Sequence, residues 1–389
     1  MGSTVHLTTQ PRSLPLAVLA VYGTRPEAIK MAPVINALRR REEAVRLTVC
    51  TTGQHREMLE QVHATFDLAP DVDLRLMRAN QDLNHLLAAA VDAIDRVIVE
   101  REPEWLLVQG DTTTAMAAAV AAFHRRVKVG HVEAGLRTHD LGHPFPEEAN
   151  RRIVDAISTA LFAPTERAAR GLIAEGCRTD HVHLVGNTVI DALRRFPVAA
   201  ANANGRRQVL VTVHRRESFG EPLQRILAAL RELAGLFPEV EWVYPVHPNP
   251  NVVGPVREAL SDLPNFRLSP PLGYAELIAE LAASHFVLTD SGGLQEEAPA
   301  FAKPVLVLRE TTERPEGIEC GIARLTGSDT ARIVAEASRL LTSPAEYASM
   351  ARAANPYGDG RAAERIAAVL LGEPWEPFAA ERSATMEAS

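Results

Sequence analysis

The chain has little cysteine and little lysine, and it lacks most of the short signatures that settle a chemistry by themselves. Its three cysteines, Cys50, Cys177 and Cys320, lie far apart and form no C-x-x-C pair. That pattern argues against a disulfide scaffold and implies free thiols in a reducing, cytoplasmic compartment. No His/Cys/Asp cluster stands at metal-ligand spacing, so no metal is expected. A Walker loop, a G-x-S-x-G elbow and the dinucleotide fingerprint G-x-G-x-x-G are all missing. Only Lys30, Lys128 and Lys303 are lysines, so 41 − 3 = 38 of the basic residues are arginine, a skew without mechanistic meaning. There is no basic stripe either: the net charge of −8 argues against a nucleic-acid partner. Any anionic ligand must then be gripped by local arginines rather than by the overall field. MGSTVHLTTQPRS lacks the blocks of a signal peptide, and LAVLAVY is too short to cross a bilayer, so no membrane partner is expected.

What is present is ordinary soluble-protein composition, 46% hydrophobic and 23% charged, in a chain of 389 residues. That length exceeds one comfortable core and suggests two domains. LAVLAVY (16–22), VRLTVC (45–50), WLLVQ (105–109), VKVGHV (127–132) and VHLVG (182–186) are predicted strands, with helices near 56–65, 82–101, 113–125 and 165–175. After the linker-like 197–207, strands resume at VLVTV (209–213), EWVYPV (241–246), FRLS (266–269), HFVLT (285–289) and PVLVL (304–308). Near-continuous apolar strands alternating with helices predict doubly wound parallel sheets. The expected class is α/β: one domain over 1–195, a second over 206–360 and a cleft between them, with a C-terminal helix over 361–375 and a flexible tail over 376–389.

Ligands of such sheets bind beyond the carboxyl ends of the strands, and the polar residues there are the candidates. In GTRPE, Gly23 permits a tight turn, Arg25 can hold an anion and Pro26 suits a first helical turn. Pro33 is expected to kink that helix or to open its main part. In QGDTTT, Asp111 and its threonines fit either a helix cap or a site. Glu133 ends an apolar strand, where a lone carboxylate is costly, with Arg137 four residues on as a candidate partner. His214 leaves a strand beside Arg215 and Arg216. The strongest local signal is TDSGGLQEEAP, where Ser291, Gly292 and Gly293 offer unobstructed N–H groups at a helix start, a cradle for a diphosphate. Glu296 and Glu297 serve the helix dipole or accept from ribose hydroxyls. Arg314 follows a further strand.

In order, GTRPEAIKMAP, GQHREML, GDTTT, HVEAGLRT, PFPEEANRR, APTE, GNTVIDAL, HRRESFG, PVHPNPNV, TDSGGLQEEAP and KPVLVLRETTERPEG run from about residue 16 to 372. Together they closely resemble the non-hydrolysing UDP-N-acetylglucosamine 2-epimerases. The resemblance implies two Rossmann-like domains in the GT-B arrangement, with the last helix crossing back onto the first. It implies interconversion of UDP-GlcNAc and UDP-ManNAc with no cofactor, and a homodimer. Departures are Ala302 for a usual Gly, Glu310 for a common Asp, and Cys320 and Ile322 in a variable stretch.

The C2 proton of a GlcNAc unit is not beside a carbonyl, so it cannot simply be removed at neutral pH. Breaking the C1–O bond to UDP first acidifies C2–H, and its loss gives a 2-acetamidoglucal. Returning the proton to the other face while UDP re-adds inverts C2. This route needs carboxylates as acid and base and a cationic, N–H-rich cradle for the diphosphate. By resemblance, Asp111, Glu133 and Glu147 are the acid/base candidates. His214, Arg25, Ser291, Gly292 and Arg314 would hold the diphosphate and Glu297 the ribose, with Lys30 and Arg151 in support. Gln54, Arg215 and His247 match a second, activating UDP-GlcNAc site. In GHPFPEEANRR, adjacent helical residues point about 100° apart, so the two glutamates cannot serve one sugar equally. The resemblance gives the chemistry to Glu147, leaving Glu148 to the helix start or to Arg151 and Arg152. A GT-B glycosyltransferase with a separate acceptor, a hydrolysing epimerase and a UDP-sugar sensor without turnover are the alternatives.

Overall fold

Each residue of β1 (Leu16–Tyr22) is buried, as a strand covered by helices on both faces must be. The computed structural model describes residues 14–53, 56–77, 81–196 and 206–380. Beside β1 stand β2 (Val45–Thr51), β3 (Val72–Asp73), β4 (Trp105–Gln109), β5 (Lys128–Val132), β6 (Ala160–Ala163) and β7 (Val182–Leu184). They form one parallel sheet of order β3-β2-β1-β4-β5-β6-β7. A second parallel sheet contains β8 (Gln208–Thr212), β9 (Glu241–Pro245), β10 (Phe266–Ser269), β11 (Phe286–Thr289), β12 (Val305–Val307) and β13 (Ala323–Leu325). Its order is β10-β9-β8-β11-β12-β13. Both sheets therefore reverse direction once, at β1/β4 and at β8/β11, which makes each a doubly wound, Rossmann-like domain.

The contacts divide into two compact units, one formed by the chain up to Ala192 together with Gly360–Phe378, the other by Leu193–Asp359. In the first, Leu19, Val21, Ile94, Leu106, Val108 and Val129 form a core against the alanine-rich helix Thr113–His124. Alanine at Ala117, Ala118, Ala121 and Ala122 lets that helix lie close to its neighbours, and Thr112 caps it by accepting from Ala115 N–H at 3.0 Å. In the second, Val209, Val211, Trp242, Phe286, Leu288 and Leu306 meet the helices Glu221–Leu236 and Thr330–Thr342. Removing each such side chain from water contributes about 1.5–3 kcal/mol.

The C-terminal helix is Ala362–Leu371 and belongs to the first unit. Asp191 accepts from Ala362 and Ala363 N–H at its start, and Arg40 and Arg41 pair with Glu364. The flexible tail expected over 376–389 is corrected in its first part. Phe378 is buried, its N–H donates to Leu184 O at 2.9 Å, and Arg365 stands over its ring. Residues 381–389 lie outside the described part of the chain, as do 197–205. Pro33 neither ends nor begins an element, because the helix Arg25–Arg39 runs past it. All three cysteines are free, Cys50 buried and Cys320 exposed. Among the described residues no helix is long and apolar enough to cross a membrane.

Candidate functional site

In the first unit the register of β4 against β5 sets Gln109 beside Val132, so the loops after both strands emerge together. Glu133 is the first residue past β5 and adopts φ +67°, the left-handed region that a side chain enters at a cost of roughly 1–2 kcal/mol. It is only 8% exposed. Lys30 Nζ donates to both carboxylate oxygens at 2.5 and 2.7 Å, Asn187 Nδ2 donates at 3.2 Å, and Gln109 Nε2 donates as well. Four donations to the side chain thus accompany a backbone in the left-handed region. Arg137 is not its partner: that guanidinium pairs with Asp155 and Glu175 instead. The i+4 relation holds on a helix, and here the chain turns at Gly135 (φ +87°) between the two residues.

Asp111 follows β4, and Arg151 donates to its Oδ2 at 2.6 Å. Asn150 Nδ2 donates to the Asp111 carbonyl at 2.8 Å. These two bonds dock the helix Glu147–Ile157 against the Asp111 loop. Glu147 opens that helix, and its Oε2 is buried without a hydrogen-bond partner. Glu148, 0% exposed, accepts from Thr138 and His139 N–H and pairs with Arg152 at 3.1 Å and Arg151 at 3.5 Å. Burial alone would raise its carboxyl, but Thr138 N–H and the two guanidiniums outweigh burial and hold it below the ordinary range. The adjacent pair is thus one saturated structural carboxylate and one with an open oxygen.

Arg25 starts its helix and has no acidic or carbonyl partner among the described residues. The GTRPE loop is knitted to the GDTTT loop by Glu27, which the sequence reading passed over. Its Oε2 accepts from Gly23 and Thr24 N–H at 3.0 and 2.6 Å, and Thr112 Oγ1 donates to its Oε1 at 2.6 Å. The T-x-x-E spacing from Thr24 to Glu27 is a capping-box signal that could have found it. Burial pushes the Glu27 carboxyl up against these bonds. Gly23 is required for want of a side chain: a Cβ there would lie 2.3 Å from Thr52 Oγ1.

In the second unit Thr212 faces Thr289 across β8 and β11, their hydroxyls 2.6 Å apart. Asp290, just beyond, is fully buried. Its Oδ2 accepts from His214 N–H, Arg215 N–H and Ser218 Oγ at 2.9, 2.8 and 3.0 Å. His214 Nδ1 stands 3.3 Å from its Oδ1. Burial lowers the His214 imidazole below its usual value, Arg215 and His247 add to this, and Asp290 opposes it. Asp290 was not singled out from the sequence, where it reads only as part of the T-D-S-G-G turn.

Ser291 precedes the helix Gly292–Ala300, and its own N–H is spent on Thr289 Oγ1 at 2.9 Å. The cradle therefore begins one residue later than expected, at Gly292 and Gly293, whose N–H groups have no intrahelical acceptor. An added Cβ on Gly292 would lie 3.5 Å from the Arg215 guanidinium and 3.9 Å from that of Arg314. Glu296 pairs with Arg314, while Glu297 accepts from Tyr274 Oη at 3.3 Å. His247 stacks on His214 with ring centres 5.8 Å apart. Arg215 and His247 are thus packed into the same cluster as the diphosphate candidates, and Gln54 lies outside the described residues.

Two doubly wound sheets on one chain, each with its polar loops past the strand-order reversal, define a two-domain Rossmann-like protein of GT-B composition. The family described as UDP-N-acetylglucosamine 2-epimerase matches residues 36–371. A UDP-N-acetylglucosamine 2-epimerase of Campylobacter jejuni is 44% identical over 372 residues, 91% of this chain and 97% of its own. One from Yersinia pestis is 46% identical over 370 residues, covering 91% and 98%. The crystal structure of the Neisseria meningitidis UDP-GlcNAc 2-epimerase bound to UDP-GlcNAc superposes with a TM-score of 0.84. That protein is 43% identical, over 92% of this chain and all of the other. The chain belongs to the UDP-N-acetylglucosamine 2-epimerase family.

Proposed function

We propose that this protein interconverts UDP-N-acetylglucosamine and UDP-N-acetylmannosamine by eliminating and re-adding UDP. The observation that carries this reading is the Glu133 carboxylate in strained backbone just past β5, with Asp111 just past the neighbouring β4 and Glu147, one oxygen open, on the helix bonded to the Asp111 loop. The C1–O bond breaks with its electron pair leaving on the diphosphate, and a carboxylate then takes the C2 proton to leave a C1–C2 double bond. Proton delivery to the opposite face of C2 and attack of the diphosphate oxygen at C1 complete the inversion. Glu133 has its lone pairs engaged by Lys30, Gln109 and Asn187, which fits a fixed negative charge facing the oxocarbenium-like centre. Glu147 and Asp111 retain free carboxylate oxygens and are the groups able to move protons.

In the second unit the N–H groups of Gly292 and Gly293, with Arg215 and Arg314, are suited to the leaving diphosphate. His214, whose Nδ1 stands 3.3 Å from Asp290 Oδ1, has Nε2 left for the same anion. Glu297 is assigned to the ribose, and Arg25, Lys30 and Arg151 to positioning. We place the protein in the cytoplasm as a homodimer, and sedimentation at working concentration tests the dimer. A separate activating site for UDP-GlcNAc through Gln54, Arg215 and His247 would show as sigmoidal kinetics. Incubation with UDP-GlcNAc alone decides the reaction. UDP-ManNAc is the expected product, free ManNAc would make the protein a hydrolysing enzyme, and turnover only with an added acceptor would make it a transferase.

A further inference from the structure

The first unit buries an imidazole that the reaction above does not use. His131, on β5 and two residues before Glu133, is 0% exposed. Its Nε2 lies 2.8 Å from the carbonyl oxygen of Gly110, the residue before Asp111. Its Nδ1 lies 2.6 Å from Asp155 Oδ1, on the helix that begins with Glu147. A carbonyl oxygen can only accept, so Nε2 carries a proton. Asp155 is also held by Arg137, whose Nη1 is 2.8 Å from Oδ2, and Arg137 pairs in turn with Glu175. Both ring nitrogens are thus partnered, as a buried polar group requires.

The same group touches each segment that carries a catalytic candidate. Nε2–H fixes the Gly110 carbonyl and hence the approach of Asp111. Asp155 Oδ2 accepts from Gly135 N–H at 3.3 Å, just past Glu133. The helix bearing Asp155 also bears Glu147 and Arg151.

We propose that His131 is a positioning residue that with Asp155 ties the Asp111, Glu133 and Glu147 segments into one frame. The effect on turnover rests on the epimerase reading; the ring's bond to the Gly110 carbonyl does not.

The test has two arms. Nitrogen-15 spectra of the wild-type histidine rings should show a proton on His131 Nε2, donated to the Gly110 carbonyl. A ring with no proton on Nε2 would overturn the frame. In kinetics, His131→Gln should lower kcat by about 10²-fold with KM and UDP affinity unchanged. Adding Asp155→Asn should cost little more, because the two act as one unit. Unchanged kcat, effects of the two substitutions that multiply, or a fall in kcat matched by equal losses of UDP affinity and melting temperature would each overturn the positioning role. Wild-type protein that makes no UDP-ManNAc would refute the epimerase reading instead, and the ring spectra would still test the tie to Gly110.

Discussion

The two units run the same strand order and spend the same residue types at equivalent points in opposite ways. Asp111 follows β4 and Asp290 follows β11, the strands that occupy matching places beside the reversal. Asp111 has a side chain 31% exposed and one oxygen free of the Arg151 pair. Asp290 is fully buried and uses its carboxylate to clamp the backbone of His214 and Arg215. Arg25 and Arg215 each stand three residues past the first strand of their sheet, Tyr22 and Thr212. The first unit then gathers carboxylates past its strand ends, whereas the second gathers guanidiniums and open N–H groups around Gly292. Under the proposed function, one fold supplies the proton chemistry in one copy and the leaving-group chemistry in the other.

Substitutions that damage one half and spare the other separate the two roles. The largest effect is expected in the first unit, where Glu133→Gln or Asp111→Asn should lower kcat by about 10³-fold or more. UDP affinity measured by calorimetry should not change. Conversely, Arg314→Ala should weaken UDP binding by roughly 10- to 100-fold, the loss of about 1.4–3 kcal/mol expected for charge-assisted bonds to a phosphate. If the Glu133 substitution also removes UDP binding, the division of labour is wrong.

The adjacent glutamates make the same separation within one helix turn. Glu147→Gln should abolish turnover and leave the melting temperature in place. Glu148→Gln should cost about 2 kcal/mol of stability, because it breaks buried, charge-assisted bonds. Thermal melts of the two variants, run beside activity assays, check this. The pairing of Glu148 with Arg151 and Arg152 was legible in the sequence, since helical spacing brings them together. The strands were legible too, because runs such as LAVLAVY are apolar on both faces. The strands β3, β6 and β13 were missed. The supports of Glu133 were not legible as its partners. Lys30 reaches it across 103 residues of sequence and Asn187 across 54, distances over which no periodicity speaks. Arg137 was misassigned by a helical spacing rule applied to a turn. Asp290, His131 and Asp155 escaped notice because a buried carboxylate and a buried imidazole look, in sequence, like any strand-end polar residue.

In the second unit, Glu313 gives a smaller, pH-graded test. Burial works to raise its carboxyl, but Arg309, Arg314 and Arg215 hold it down at about 2, against an ordinary 4.5. Its stabilising contribution is therefore complete above the ordinary value and is lost as pH falls through about 2. The difference in urea midpoint between wild type and Glu313→Gln should be full at neutral pH and should shrink steadily on acidification below that ordinary value. A difference that grows on acidification would reverse the sign and remove the arginines as its cause.

The smallest effect is expected at Ala302, whose φ of +55° lies in the left-handed region. Ala302→Gly removes that strain but adds freedom to the unfolded chain, for a net gain of about 0.5–1 kcal/mol. A rise in urea midpoint with unchanged activity is the expected result.

The most direct test of proton chemistry in the first unit is incubation of the protein with UDP-GlcNAc in D₂O, followed by mass and proton spectra of the recovered nucleotide sugars. Deuterium at C2 of UDP-ManNAc and of the returned UDP-GlcNAc is expected for wild type, and its disappearance in Glu133→Gln while UDP still binds. Epimerised product that keeps its original C2 proton, or deuterium exchange undiminished in Glu133→Gln, would contradict the assignment.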